Sequence, residues 1–271
     1  MKSFPLILAV TVAPFFPASG ALLFSDTFNT ADNGSFDAAS TAGRLSGVVA
    51  GETYLRSWGT QQAINGNQLL LPTTTSGGVR FENALNDPGT TGAADRYDWA
   101  VGSAAGAITS SGGFIVAFDW VPADNVSTNW VSFQVGTING DSGNLANGQT
   151  DYGILFRNNG ATERFDNGTN LGAGGSFAAT AGGVLRQVQI TYSFNSFADG
   201  TSVTAVSRVN GVQVASDGFT LDNNLGQFRM ELGSIAAGGR IDNLTISSIP
   251  EPSVVALAGL ALAGGLRRRR R

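Results

Sequence analysis

The sequence has no cysteine, no histidine and a single lysine, Lys2. Without cysteine there are no disulfides, no thiolate metal site and no lipid-modified N-terminal cysteine. Without histidine the commonest general base is missing, and with it Ser-His triads and imidazole metal sites. Charge is scarce too, at 13% of residues. Between the two ends, residues 22–248 hold ten arginines against nineteen carboxylates, a balance of −9. Phosphate contacts need a basic face, so no nucleic-acid binding is expected. No part of this body shows sustained helical periodicity, and there is no internal repeat.

Glycine is abundant, with 37 residues, and Thr, Ser, Val and Phe are common. This is the composition of strands and turns. A body of this size fits one large all-β domain. LLFSDTF at Leu22–Phe28 reads as a first strand, with further strands near Thr53–Trp58 and Gln68–Leu71. Asn86–Gly112 is rich in Gly, Ala, Asp and Thr and reads as a long surface excursion. Beyond it the alternation is clear. Phe114, Val116, Phe118 and Trp120 share one strand face, and Trp130–Val135 and Tyr152–Arg157 repeat the pattern. Val184–Phe194 is the strongest strand. Asn210-Gly211 between two apolar runs predicts a tight hairpin. Phe228, Met230 and Leu232 alternate with polar neighbours, and RIDNLTIS at Arg240–Ser247 predicts the last strand. Many strands with one apolar face each require two packed sheets.

The two ends differ from the body. Met1–Ala21 reads as a cleavable export leader, with Lys2, an apolar run Phe4–Phe16 and small residues Ala18-Ser19-Gly20-Ala21. Cleavage after Gly20 and after Ala21 fit equally well. The other end, Ile249–Arg271, has three parts. Pro250-Glu251-Pro252 sets an extended strip. Ser253–Leu266 is uncharged and short for a bilayer, since 14 residues span about 21 Å as a helix against a core of roughly 30 Å. Arg267, Arg268, Arg269, Arg270 and Arg271 close the chain; they can snorkel to headgroups and hold that end in the cytoplasm.

This order of parts resembles the PEP-CTERM sorting signal of Gram-negative bacteria, with Ile249 where valine is more usual. The resemblance implies an exported protein held transiently in the inner membrane by a short transmembrane helix. It also implies processing by an exosortase, an integral-membrane cysteine protease-transpeptidase, and a destination at the surface or in an exopolysaccharide matrix. In the body, QVQITYS followed by TAVSRVNGVQVA resembles the laminin-G/concanavalin-like group, as do the opening SDTF and closing IDNLTI. The expected organisation is therefore a leader (1–21), a jelly-roll β-sandwich (22–248) and a sorting signal (249–271).

Candidate sites in the body are few. Asp26 and Asp242 lie at the ends of the first and last strands. If those strands pair, the two carboxylates with Asn243 form a candidate all-oxygen Ca²⁺ site; the commoner role is a pair of turn carboxylates. Asn139–Asn144 resembles a calcium loop but has Thr150 where a bidentate Glu belongs. The E-x-D-x-x-E strand of concanavalin-like glucanases is absent. Asp95/Asp98 and Glu163/Asp166 are spaced to opposite strand faces and read as surface ion pairs, so no catalytic activity is expected. Trp120 and Trp130 read as core, and Trp58 and Trp99 as candidate sugar-stacking ligand contacts. A lectin-like, polysaccharide-binding sandwich is the alternative to a purely structural one.

Overall fold

The computed structural model describes residues 20–29, 54–59, 63–71, 76–81, 98–136, 150–178, 182–222, 227–235 and 239–250, without the side chains of 54–59 and 81. The chain divides into two units. One is Ala21–Ile249. The other joins Met1–Gly20 with Pro250–Arg271 and, apart from Gly20 and Pro250, lies outside the described residues, as do the leader, the apolar tail run and the arginine cluster. Among the described residues no helix is long and apolar enough to cross a membrane.

Ala21–Ile249 is an all-β sandwich of two antiparallel sheets, consistent with the expected jelly-roll. In chain order the first strands are β1 (Leu22–Asp26), β2 (Tyr54–Gly59), β3 (Ala63–Asn65), β4 (Gln68–Leu70) and β5 (Ser76–Phe81). A helix, α1 (Gly102–Ser111), leads into β6 (Gly113–Pro122), β7 (Trp130–Gly136), β8 (Tyr152–Arg157), β9 (Ala161–Asp166) and β10 (Thr169–Ser176). The chain closes with β11 (Arg186–Ser193), β12 (Ser202–Val209), β13 (Val212–Thr220), β14 (Arg229–Ile235) and β15 (Gly239–Ser248). The first sheet runs β13-β12-β11-β6-β15-β4-β3, with β1 also on β15. The second runs β10-β9-β8-β7-β14-β5-β2.

Period-2 alternation sets the inner faces. Val188, Ile190 and Tyr192 of β11 meet Val131, Phe133 and Val135 of β7 and Met230 and Leu232 of β14 in one buried cluster. Aromatic pairs dominate its middle. Phe114 stacks on Tyr192 and Tyr152 on Phe219, both at 4.8 Å between centroids. Phe197 stands edge-on to Phe194 and Phe228. Each such pair adds about 0.5–1.5 kcal/mol beyond its area burial. Arg186, fully buried, ties the sheets together: its guanidinium lies 4.9 Å from the centroids of both Trp120 and Phe177 and donates to the Asn158 carbonyl at 2.8 Å.

Asn210-Gly211 makes the expected turn, with φ of 51° and 78°. Several expectations change. The segment read as a surface excursion contains α1, whose Ala104 and Ile108 are buried and whose Gly112 ends it in the left-handed region. Its one large apolar side chain leaves almost no periodicity to read. Strands β9 and β10 lacked alternation as well. In β10, Gly174 and Gly175 lie so close to the Val214 backbone that a Cβ would intrude, so this strand depends on the absence of side chains. Trp130 is half-exposed because its parity is opposite to that of Val131, Phe133 and Val135. Asp98 is no surface ion-pair residue: it is buried and accepts from the backbone N–H of Ala100 and Phe228. Val184 and Leu185 precede β11 and are exposed.

At one end of the sandwich Asp124 organises the β6–β7 connection. It accepts from Asn158 Nδ2, the Val126 N–H and Asn129 Nδ2. Burial alone would raise this carboxyl, but the three donors outweigh it and hold it below the ordinary aspartate value of 3.8. A lowered folded pKa contributes stability above the unfolded value, lost as pH falls through the folded one. Asp124→Asn should therefore lower the unfolding temperature at neutral pH, and the difference from wild type should shrink below about pH 4. Gly113 has φ 134°, and a Cβ there would fall on the Tyr192 carbonyl. Gly113→Ala should cost about 3 kcal/mol, or roughly 6–12 °C in Tm. Gly106, inside α1 with open space around it, gives the opposite outcome: Gly106→Ala should raise stability by about 0.5–1 kcal/mol. Thermal unfolding read by circular dichroism checks all three.

Candidate functional site

β1 and β15 do pair, with Asp26 opposite Leu244. Asp26 is fully buried, and its Oδ1 accepts from the Phe28 N–H at 2.7 Å. Asp242 Oδ1 accepts from the Asn243 N–H, and Asn243 Nδ2 donates to Asp119 Oδ2. The Asp26 and Asp242 bonds are local turn bonds, whereas Asn243, at φ 50°, reaches across to Asp119 of β6. Among the described residues no group of three or more His, Cys, Asp or Glu side chains is placed to hold a metal ion. Trp99 is fully buried, edge-on to Phe24 at 6.5 Å, and presents no free face to a sugar. The Phe228 backbone holds both neighbours, its N–H donating to the Asp98 carboxylate and its carbonyl accepting from the Trp99 N–H. Trp58 lies on β2 opposite Gly78, and its side chain is outside the described residues. The calcium-like loop Asn139–Asn144 and residues Glu251, Pro252 and Arg267–Arg271 are outside them as well. Pro250 is described and partly exposed, directly after Ile249.

Two features that sequence reasoning missed stand out. The first is a pocket of about 750 Å³ where the edges of the two sheets meet. The β9–β10 turn, Asp166-Asn167-Gly168-Thr169, forms one wall, tightened by positive φ at Asn167 and Gly168. Asp199–Ser202 and Gly218–Asp222 form the other, clipped together by the Gly200 N–H to Leu221 carbonyl and Leu221 N–H to Thr201 carbonyl bonds. Beneath it, Arg164 of β9 donates to Asp217 of β13 at 2.6 Å, and Tyr152 OH donates to the other oxygen at 2.8 Å. This pair joins the two sheets across their seam. Burial, and then the Asp217 charge, push the Tyr152 phenol far above its usual range, so it stays a donor. Burial and Asp217 also raise the Asp166 carboxyl. The lining holds three aspartates and no basic residue.

The second is a polar row on the outer face of the second sheet. Arg80, Glu231 and Gln134 are neighbours across β5, β14 and β7. Gln134 Nε2 donates to Glu231 Oε1 at 3.0 Å, and Arg80 Nε lies 3.6 Å from Glu231 Oε2. All three are almost fully buried although they point away from the sandwich core. The alternation of β7 and β14 carried this signal: the polar partners of Phe133 and Leu232 must face outward. In the pocket, Asp166 belongs to one wall and Asp199 and Asp222 to the other, and none of the three is buried.

Comparison with known proteins agrees with the reading of the tail. No curated protein matches the sequence. Among solved structures the chain is similar to the metal-free Emp46p carbohydrate recognition domain, with 11% identity, a TM-score of 0.48, and coverage of 72% of this chain and 88% of that one. It is similar to alginate lyase Aly36B at 13% identity and a TM-score of 0.44, covering 86% and 99%. A sialidase shares 11% identity and a TM-score of 0.44 over 72% of this chain, which spans only 17% of that enzyme's length. Residues 248–271 match the PEP-CTERM protein-sorting motif, and the chain is a β-sandwich carrying that motif from the last residue of its last strand.

Proposed function

We propose that this is an exported, non-catalytic protein of the bacterial surface or extracellular matrix, associated with exopolysaccharide and delivered by an exosortase-type system. Residues 1–21 direct export and are removed. Residues 249–271 hold the chain transiently in the inner membrane, with the arginines on the cytoplasmic side. Processing at Pro250-Glu251-Pro252 then frees the sandwich, residues 22–248. The observation that carries this reading is the sorting motif at residues 248–271. The acidic, lysine-free body supports it, because the arginine cluster is the one region suited to staying inside. Mass spectrometry of the exported protein should find both ends trimmed. Exported material intact through Arg271 would refute the processing step.

A second reading adds glycan binding, and the seam pocket favours it. Its wall mixes hydroxyls of Thr169, Ser202, Thr204 and Thr220 with carboxylates and the apolar edge of Leu171, a lining suited to a sugar chain. A glycan array with the full chain tests it; binding to no polymer, the host matrix included, would sink it. The raised Asp166 carboxyl carries a stability prediction of its own, separate from glycan binding. A raised folded pKa means that stability falls as pH rises through the window above the unfolded value. Asp166→Asn should therefore raise the unfolding temperature at neutral pH and leave it unchanged below about pH 4.

A further inference from the structure

The sorting motif and the fold overlap in sequence. Ser248, where the motif begins, is the last residue of β15. β15 is an interior strand: β6 pairs along one side from Gly239 to Ser248, and on the other side β4 pairs its start and β1 its end. Ser248 is bonded on both sides, and Ile249 on the β6 side. The Ser248 N–H donates to the Ala21 carbonyl and Ser248 Oγ accepts from the Ala21 N–H, both at 2.9 Å; a leader cut after Gly20 keeps these bonds, and a cut after Ala21 leaves the β6 side of the ladder. The Ile249 N–H donates to the Gly113 carbonyl at 3.1 Å, and the Ile249 side chain lies over Gly113. Pro250, which has no N–H, is the first residue after this ladder.

A peptidase that grips its substrate as an extended strand needs free backbone groups on the residues flanking the cut. Upstream of Pro250 those groups belong to the sandwich. We propose that the folded sandwich sets the upstream limit of processing. Once β15 is in place, no bond through Ser248–Ile249 can be offered, and only the strip from Pro250 onward is available. Folding and processing therefore compete for the same few residues, and the end of β15 must open for a peptidase that grips further upstream. The cut breaks one peptide bond. The upstream acyl carbon takes the oxygen of water, or the nitrogen of an amine acceptor in a transfer, and the departing amine takes a proton. The mature chain then keeps β15 whole and ends with no linker after the sandwich. This inference rests on the processing reading above.

The test uses the full chain, co-expressed with an exosortase-type peptidase, beside a variant with a flexible Gly/Ser spacer of about eight residues between Ile249 and Pro250, reaching roughly 16 Å. Access governed by local opening predicts that the spacer speeds conversion about tenfold or more, with an unchanged unfolding temperature. Intact mass should place the wild-type end at or beyond Pro250, and should place the spacer on the mature variant. In a parallel arm a broad-specificity protease acts on the purified, folded chain; its cuts should spare Gly239–Ile249. Cleavage of the spacer variant alone supports the inference most strongly. Equal conversion rates, a mature end inside β15, or protease cuts there overturn it while leaving the processing reading intact. Failure of both chains to be cut overturns the processing reading, and this inference with it.

Discussion

The sandwich depends on the placement of its last strand. β15 sits inside the first sheet, with β6 on one side and β4 and β1 on the other. Its Ile241, Leu244 and Ile246 are buried in the common core. Remove β15 and β6 loses a partner along its whole length, while β1, β3 and β4 lose their connection to the sheet. The first and last residues of the folded unit also meet here, through the bonds between Ala21 and Ser248. Such long-range pairing forms late, because loop closure costs entropy before the contacts reward it. The sandwich can therefore close only when the chain is available up to the sorting motif.

A second constraint acts at the seam between the sheets. Edge strands expose unpaired backbone groups and invite association. Here the β10 edge lies against β13, through the glycines at 174 and 175 and the Arg164–Asp217–Tyr152 bonds. Closing the seam this way leaves short turns at its end, and those turns make the acidic pocket. The pocket is thus a by-product of the geometry that protects the edges, which explains why no single stretch of sequence announces it.

How much was legible varied with how local the signal was. Strands β6, β7, β8, β12 and β15 were read within a residue or two, and β14 was read in its first half. The Asn-Gly turn at 210–211 was read from its backbone requirement alone. α1 and β10 were not, because Ala- and Gly-rich segments carry no side-chain pattern and are held by what packs against them. Asp98 and Trp99 misled because two adjacent residues both bind Phe228, 130 positions away in the Asp98 case. Asp26 and Asp242 sat where expected in the topology, yet their oxygens turned to neighbouring N–H groups rather than to a common centre.

By itself the sequence determined that the protein carries a sorting motif at its C-terminal end and a two-sheet β body with little charge. Those properties are written in consecutive residues: prolines, an apolar run, an arginine cluster, and side chains alternating every second position. Only the tertiary structure decided which strand lies in the middle, which polar residues are buried, where the pocket opens, and that the sorting motif begins on the last residue of an interior strand. Each of these depends on pairings between segments far apart in the chain, whose partners are chosen by packing rather than by local composition.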